Sequence, residues 1–284
     1  MVSGQNTIDS IKIGGIKLKP DQQEVLEKAN WGVYYQFSQK ATDHGKPVIV
    51  TDTLLLAIGN TQSVFLDPYY KDNLEKARKQ RIARSLKTRK MDPSHRWVDE
   101  VIEYIDATSD YIEENNGDPV QIYKNRKTQT VTSIYNAFVD NIMCEQKISE
   151  FNNWKITEEI DSIFGYLCQK AVVSYGGRNY TAWFTMDIPV NDGPWKFYGL
   201  PGLILKVTDN DSLFQFLAVG LQQYKGNAEI VRDKVDYEKC DLKTFNKFVD
   251  KERSKDVVSF YHNGYLYMTH KKKSIIYPEM EVIK

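Results

Sequence analysis

The chain has 284 residues, with 38 Lys+Arg balanced by 38 Asp+Glu and a hydrophobic fraction of 41%. That length and mix suit one large domain or two small ones and exclude a chain disordered throughout. Zero net charge leaves no global field to draw the protein to nucleic acid or to an anionic lipid surface.

No apolar run approaches the roughly 18 residues that span a bilayer. The longest candidate, Val48–Ile58, is interrupted by Thr51, Asp52 and Thr53. Met1–Asn6 lacks the basic and apolar regions of a secretory signal, and Ser3-Gly4-Gln5-Asn6 fits a mature start from which a signal has been removed. Eighteen tyrosines favour sheets and aromatic-lined surfaces.

In chain order, residues 1–30 are polar, with a weak helical pattern over Asp21–Asn30, and read as a mostly flexible arm. Val33–Phe37 alternates as a strand does, and Gly45-Lys46-Pro47 reads as a turn. Leu54–Ile58 and Ser63–Leu66 flank Gly59–Gln62 in a hairpin pattern. Lys71–Lys90 then holds nine basic residues against two acidic, and Trp97–Asp118 holds eight acidic and no basic. Both show helical spacing, so 70–116 is expected to be a helical insertion whose oppositely charged faces attract each other. Their mutual cancellation argues against a basic patch reaching far into solvent.

From Pro119 the strand pattern returns in Gln121–Lys124, Thr130–Tyr135, Phe138–Glu145 and Trp154–Thr157. Tyr166–Tyr175 and Asn179–Thr185 follow around Gly176-Gly177, then Leu203–Thr208 and Leu213–Leu221 around Asp209-Asn210-Asp211. Strands at this spacing without intervening helices predict a strongly curved antiparallel meander. Asp241–Arg253 has the apolar stripe of an amphipathic helix, and Asn263-Gly264 marks a last hairpin before a frayed tail. The expected class is therefore α+β, mainly β. A half-barrel-like sheet over 31–260 carries the helical insertion and the helix, followed by a hairpin and tail over 261–284.

The densest Gly/Pro stretch is Gly193-Pro-Trp-Lys-Phe-Tyr-Gly-Leu-Pro-Gly202, which leads directly into the apolar run Leu203–Val207. Glycine admits backbone angles other residues avoid and proline fixes its own, so Gly199, Pro201 and Gly202 read as a structural corner. With Trp154-Lys-Ile156, Gly165–Ala171, Gly177–Thr185 and Asp187-Ile-Pro189, this stretch resembles the GLPGLI family, named for the hexapeptide at Gly199–Ile204. The resemblance runs from about Trp31 to Gln223, with the charged pair as a less typical insertion. It implies an exported, periplasmic protein of a group found in Bacteroidetes, and it supplies no catalytic residues. The strand order is also similar to the half-barrel of periplasmic lipoprotein carriers, a likeness of fold alone.

Chemistry-bearing motifs are sparse. His44, His95, His262 and His270 form no close cluster with Cys or carboxylates, so no metal site is expected. No Gly-x-Ser-x-Gly elbow or phosphate-binding glycine loop occurs, and neither a cofactor nor a catalytic residue is assigned. Cys144, Cys168 and Cys240 allow at most one internal disulfide. Cys168 lies in an apolar strand, where a thiol packs as a small hydrophobe; a link to Cys144 across neighbouring strands is the alternative that an oxidising periplasm allows.

Arg178 follows two glycines and leads a strand bearing Tyr180, Trp183 and Phe184. It stacks on an aromatic or pairs with a carboxylate such as Asp187, or it faces a ligand anion at the mouth of a cleft. Trp183 is the apolar residue on an otherwise polar strand face. Trp195 and Tyr198, with Phe197, either close the end of a barrel or line a ligand site. Arg178, Trp183, Trp195 and Tyr198 are thus the candidate ligand-binding residues. The expected role is a non-catalytic exported binding or carrier module for an apolar ligand or a peptide. The alternatives are an envelope hydrolase built on scattered Asp, Glu and His residues, and an interaction subunit of an envelope complex.

Overall fold

A computed structural model of the chain describes residues 11–15, 20–73, 75–76, 117–137, 140–150, 153–253, 255–262, 265–272 and 275–281. Two short strands, β1 (Ile11–Ile13) and β2 (Gln23–Lys28), precede two long ones, β3 (Trp31–Asp43) and β4 (Lys46–Ile58). Asp43 lies opposite Lys46, so His44 and Gly45 alone make the turn. Both have positive φ, 47° and 78°, which matches a two-residue turn to the twist of its strands. The meander continues through β5 (Gln62–Leu66), β6 (Val120–Asn125), β7 (Thr130–Ala137) and β8 (Asp140–Lys147).

A second meander comprises β9 (Lys155–Ile163), β10 (Tyr166–Tyr175), β11 (Arg178–Thr185), β12 (Leu203–Asp209) and β13 (Phe214–Gln223). Then come β14 (Ala228–Asp233), β15 (Glu238–Lys239), helix α1 (Leu242–Arg253), β16 (Lys255–His262), β17 (Tyr265–Lys272) and β18 (Ile275–Ile276). Antiparallel pairing of β3 with β13 welds the meanders into one sheet, ordered β15-β8-β7-β6-β5-β4-β3-β13-β12-β11-β10-β9, with β18 also on β3. Twist accumulates over so many strands, and bulges at Gln169/Ala171, Trp183/Phe184 and Ala218/Gly220 bend the sheet further. Among the described residues its ends do not meet, so the sheet stays open. This is the mainly β, α+β class that the strand spacing predicts.

The continuous run Leu54–Ile58 has a physical reason. Side chains alternate across a strand: Leu54, Leu56 and Ile58 enter the main core, while Leu55 and Ala57 join a second core on the other face. That second core is covered by β1, β14 and β2, a separate three-stranded sheet bringing Ile13, Ala29, Ala228 and Ile230. Residues 11–15 and 20–30 are therefore not a flexible arm. The weak helical pattern at Asp21–Asn30 yields to β2 because β14, unanticipated from sequence, supplies the ladder partners.

In α1, Asp241 caps the N-terminus by accepting from the Thr244 amide at 2.7 Å. Phe245 and Val249, four residues apart, bury on Tyr135, Ile142 and Cys144. The β16–β17 hairpin flanks Asn263-Gly264, which lie outside the described residues. The expected helical insertion lies outside them as well, except for a helical start at 70–73 and 75–76. Residues 275–281 are no frayed tail: β18 pairs with β3, and Glu281 is buried.

Cys168 packs in the main core as a small hydrophobe, and Cys144 packs under α1. The alternative Cys144–Cys168 link is not formed, because β8 and β10 are not neighbours in the sheet, and Cys240 is free as well. No helix among the described residues is long and apolar enough to cross a membrane.

Candidate functional site

Residues 186–202 join β11 to β12 without regular secondary structure, yet Trp195, Phe197, Tyr198 and Leu200 are all buried in the main core. Three prolines and three glycines keep the segment out of any ladder. It is a plug packed on the face of the sheet that carries the main core. A buried loop must satisfy its own backbone polar groups, and side chains do so here. Trp154 Nε1 donates to the Tyr198 carbonyl at 2.8 Å, and the Gly199 amide donates to Asn191 Oδ1 at 2.7 Å. Where the plug ends, Tyr35 hydroxyl donates to the Ile204 carbonyl at 2.6 Å.

Gly202 answers to space. A Cβ there would overlap the Thr185 carbonyl oxygen, whereas Gly199 needs its φ of 103°. Trp195 holds φ at 51°, a left-handed conformation that costs a bulky residue on the order of 1–3 kcal/mol. Ring contacts with Phe197 at 5.2 Å and Tyr175 at 5.7 Å hold it there.

Two buried lysines fasten the plug. Lys124, projecting from β6, is fully buried and sits 2.5 Å from Asp192 Oδ1. It also donates to the carbonyls of Gly193 at 2.6 Å and Phe197 at 3.2 Å. Arg126 takes the other Asp192 oxygen at 2.7 Å. Burial pulls the Lys124 ammonium below its ordinary range, with Asp192 pulling the other way.

Lys196, in the plug itself, reaches Glu281 at the far end of residues 275–281, a strap that starts on β3. Its Nζ donates to both Glu281 oxygens at 2.7 and 2.8 Å and to Gln146 Oε1 at 2.9 Å. Tyr175 hydroxyl and Asn246 Nδ2 also donate to the Glu281 carboxylate. The preceding strap residues are held by their backbone: the Glu279 carbonyl accepts from Arg178 Nε and Nη2 at 3.0 and 2.8 Å, and the Met280 carbonyl from Tyr180 hydroxyl at 2.8 Å. Gly176, φ 55°, lets the strap pass, since a Cβ there would stand 3.1–3.3 Å from Glu281 atoms.

Of the four candidates, Arg178 and Trp195 both lie beside the strap, Arg178 on the Glu279 carbonyl and Trp195 next to the Lys196 that holds Glu281. Arg178 stacks 5.2 Å over Phe214 and lies near Asp209 and Asp211 rather than Asp187. Trp195 lies under the Lys196 ammonium and 6.3 Å from Tyr180. Tyr198 is buried elsewhere, with its carbonyl accepting from Trp154 and its hydroxyl within reach of the Arg126 and Asp192 charges. Trp183 stands half-buried between Lys170 and Lys206 of its neighbouring strands. None of Tyr175, Tyr180, Lys196, Gln146, Asn246 and Glu281 is a site candidate on sequence alone. Lys196 left one trace, a lone cation inside the aromatic trio.

Cys144, Cys168, Asp67 and Asp118 are committed to structure. Burial pushes the Cys144 and Cys168 thiols up to about 11, which suppresses the nucleophilic thiolate. Asp67 and Asp118 flank the 70–116 segment. Asp67 accepts from the amides of Tyr69 and Asp118, and Asp118 accepts from the Val120 amide and pairs with Arg253. Their oxygens are thus occupied by turns and a counter-charge. Among the described residues no group of three or more His, Cys, Asp or Glu is placed to hold a metal ion.

A family model described as "Protein of unknown function (Porph_ging)" matches residues 176–206, the stretch that carries Gly176, Arg178, Tyr180, the plug and the start of β12. No curated protein matches the chain. Solved structures of PNGF-II in P21 and C2 space groups are similar at 17% identity, with TM-scores of 0.48 and 0.49. The match covers 83% of this chain, which spans only 35% of the length of those chains.

Proposed function

We propose that the chain is a non-catalytic binding module for an extended peptide, bound in the groove that residues 279–281 now fill. One observation carries this reading. Two successive backbone carbonyls and the next side-chain carboxylate of the strap are each captured by donors from the sheet, the plug and α1. Main-chain capture plus one side-chain pocket is how extended peptides are recognised. The plug's aromatics are themselves part of the main core, filling the apolar space that a lipid-like guest would need, which favours a peptide.

Export, with the GLPGLI naming that implies it, belongs to the same proposal. Fractionation of native cells tests it, and recovery in the cytoplasm alone overturns it. The binding test uses the full chain and a fluorescent peptide with the sequence Ile275–Lys284. Saturable binding to the Glu281→Ala chain, abolished by adding Arg178→Ala, is the expected result. A flat titration with a chain of native circular dichroism overturns the reading.

A further inference from the structure

We infer that Lys196, Tyr175 and Asn246 form a carboxylate-selective subsite of this groove, so that the ligand class is an acidic peptide and Glu281 is its internal competitor. The inference rests on the groove being the binding site and adds what the groove selects. Every polar group named around Glu281 presents a hydrogen: the Lys196 ammonium, the Tyr175 hydroxyl and the Asn246 amide NH2. Gln146 fixes that polarity. Its Oε1 accepts from Lys196, while its Nε2 donates to the Tyr175 oxygen at 3.2 Å, which leaves the hydroxyl hydrogen to point at the carboxylate.

A pocket lined by donors accepts a carboxylate and rejects the isosteric amide, whose NH2 would face another donor. The charge is as selective as the polarity. Lys196 and Glu281 side chains are 3% and 4% exposed, so an empty or amide-filled pocket would take a carboxylate away from a buried ammonium. The residue before the carboxylate has its own preference. Met280 packs against the main core while its carbonyl faces Tyr180. An apolar residue followed by Glu in an extended chain is therefore the pattern the groove reads.

The strap has the properties of a resident competitor. It is tethered by the two-residue strand β18, whose partners are Asp43 and Thr42 at the turnward end of β3. It reaches the groove through two main-chain acceptors and one carboxylate, contacts a second peptide can reproduce atom for atom. While Glu281 sits on Lys196, an external peptide must displace it, and its apparent affinity falls by the fraction of chains in which the groove is free.

Fluorescence anisotropy on the full chain tests this with the Ile275–Lys284 peptide and a copy carrying Gln in place of Glu281. The Glu281→Ala chain should bind the Glu peptide at least about tenfold tighter than the unaltered chain, and the Gln peptide at least about tenfold more weakly than the Glu peptide. Lys196→Met, combined with Glu281→Ala, should remove the preference for Glu while retaining binding through Arg178 and Tyr180. Glu281→Gln serves as a second strap variant that keeps side-chain volume should the alanine variant fail to fold. Equal binding of the Glu and Gln peptides overturns the subsite and leaves the groove reading standing. Equal affinity of altered and unaltered chains overturns the internal competitor. No saturation by either peptide overturns the groove reading with it.

Discussion

Two buried lysines hold the same plug, and they differ in who supplies the counter-charge. Lys124 comes from the sheet and finds Asp192 inside the plug, with both side chains fully buried. Lys196 comes from the plug and finds Glu281, which lies 85 residues away on a strap anchored by a two-residue strand. The first pair separates only if the plug leaves the sheet. The second separates if the strap alone lifts. Similar chemistry therefore serves as a rivet in one place and as a latch in the other, and the difference lies in the element that carries the carboxylate.

Breaking each pair tests the contrast. Lys124→Met should cost about 3–5 kcal/mol, because Asp192 loses its nearest cation and the Gly193 and Phe197 carbonyls lose a donor. Glu281→Ala should cost less, about 1–2 kcal/mol, because the strap can open and let water reach Lys196. Urea unfolding measures both. In hydrogen exchange, Glu281→Ala should lose protection in 275–281 alone, whereas Lys124→Met should lose it through the plug. Equal, global losses from the two substitutions would erase the distinction.

Gly202→Val acts on the rivet side without touching a charge. Its Cβ meets the Thr185 carbonyl oxygen, so the plug's exit must shift, at about 2–3 kcal/mol. A variant that melts like the parent would show that the corner has slack the geometry denies.

The smallest effect is alkaline. Tyr35 at the plug's exit and Tyr180 under the strap both donate hydrogen bonds, and burial pushes both hydroxyls well above their ordinary value of 10.0. Unfolded tyrosines ionise near that value while the native ones keep their protons, so the native state binds more protons there. Stability should be intact below pH 10.0 and fall as pH rises above it. Tyr35→Phe and Tyr180→Phe should each flatten part of that fall in unfolding experiments across the range. Tyr35→Phe should do so at the plug and Tyr180→Phe at the strap.

The meander was legible because period-two alternation and Gly-rich turns are local. Leu54–Ile58, the Gly176-Gly177 turn and Asp241–Arg253 all read correctly from neighbours in sequence. The site was legible only in part. Arg178 and Trp195 stood out by composition, whereas Glu281 and Asn246 carry no mark in their own surroundings. Asp21–Asn30 misled for the same reason: its strand partner β14 lies about two hundred residues away.

By itself, then, the sequence determined most strands of the two meanders, their turns and the corner at Gly199–Gly202, since backbone preference and apolar periodicity act over a few residues. Only the tertiary structure decided that 186–202 is a plug and not a surface loop, and that 275–281 is a strap and not a tail. Those roles depend on buried charges finding partners across 68 and 85 residues, and burial makes such pairing obligatory without writing it into either segment.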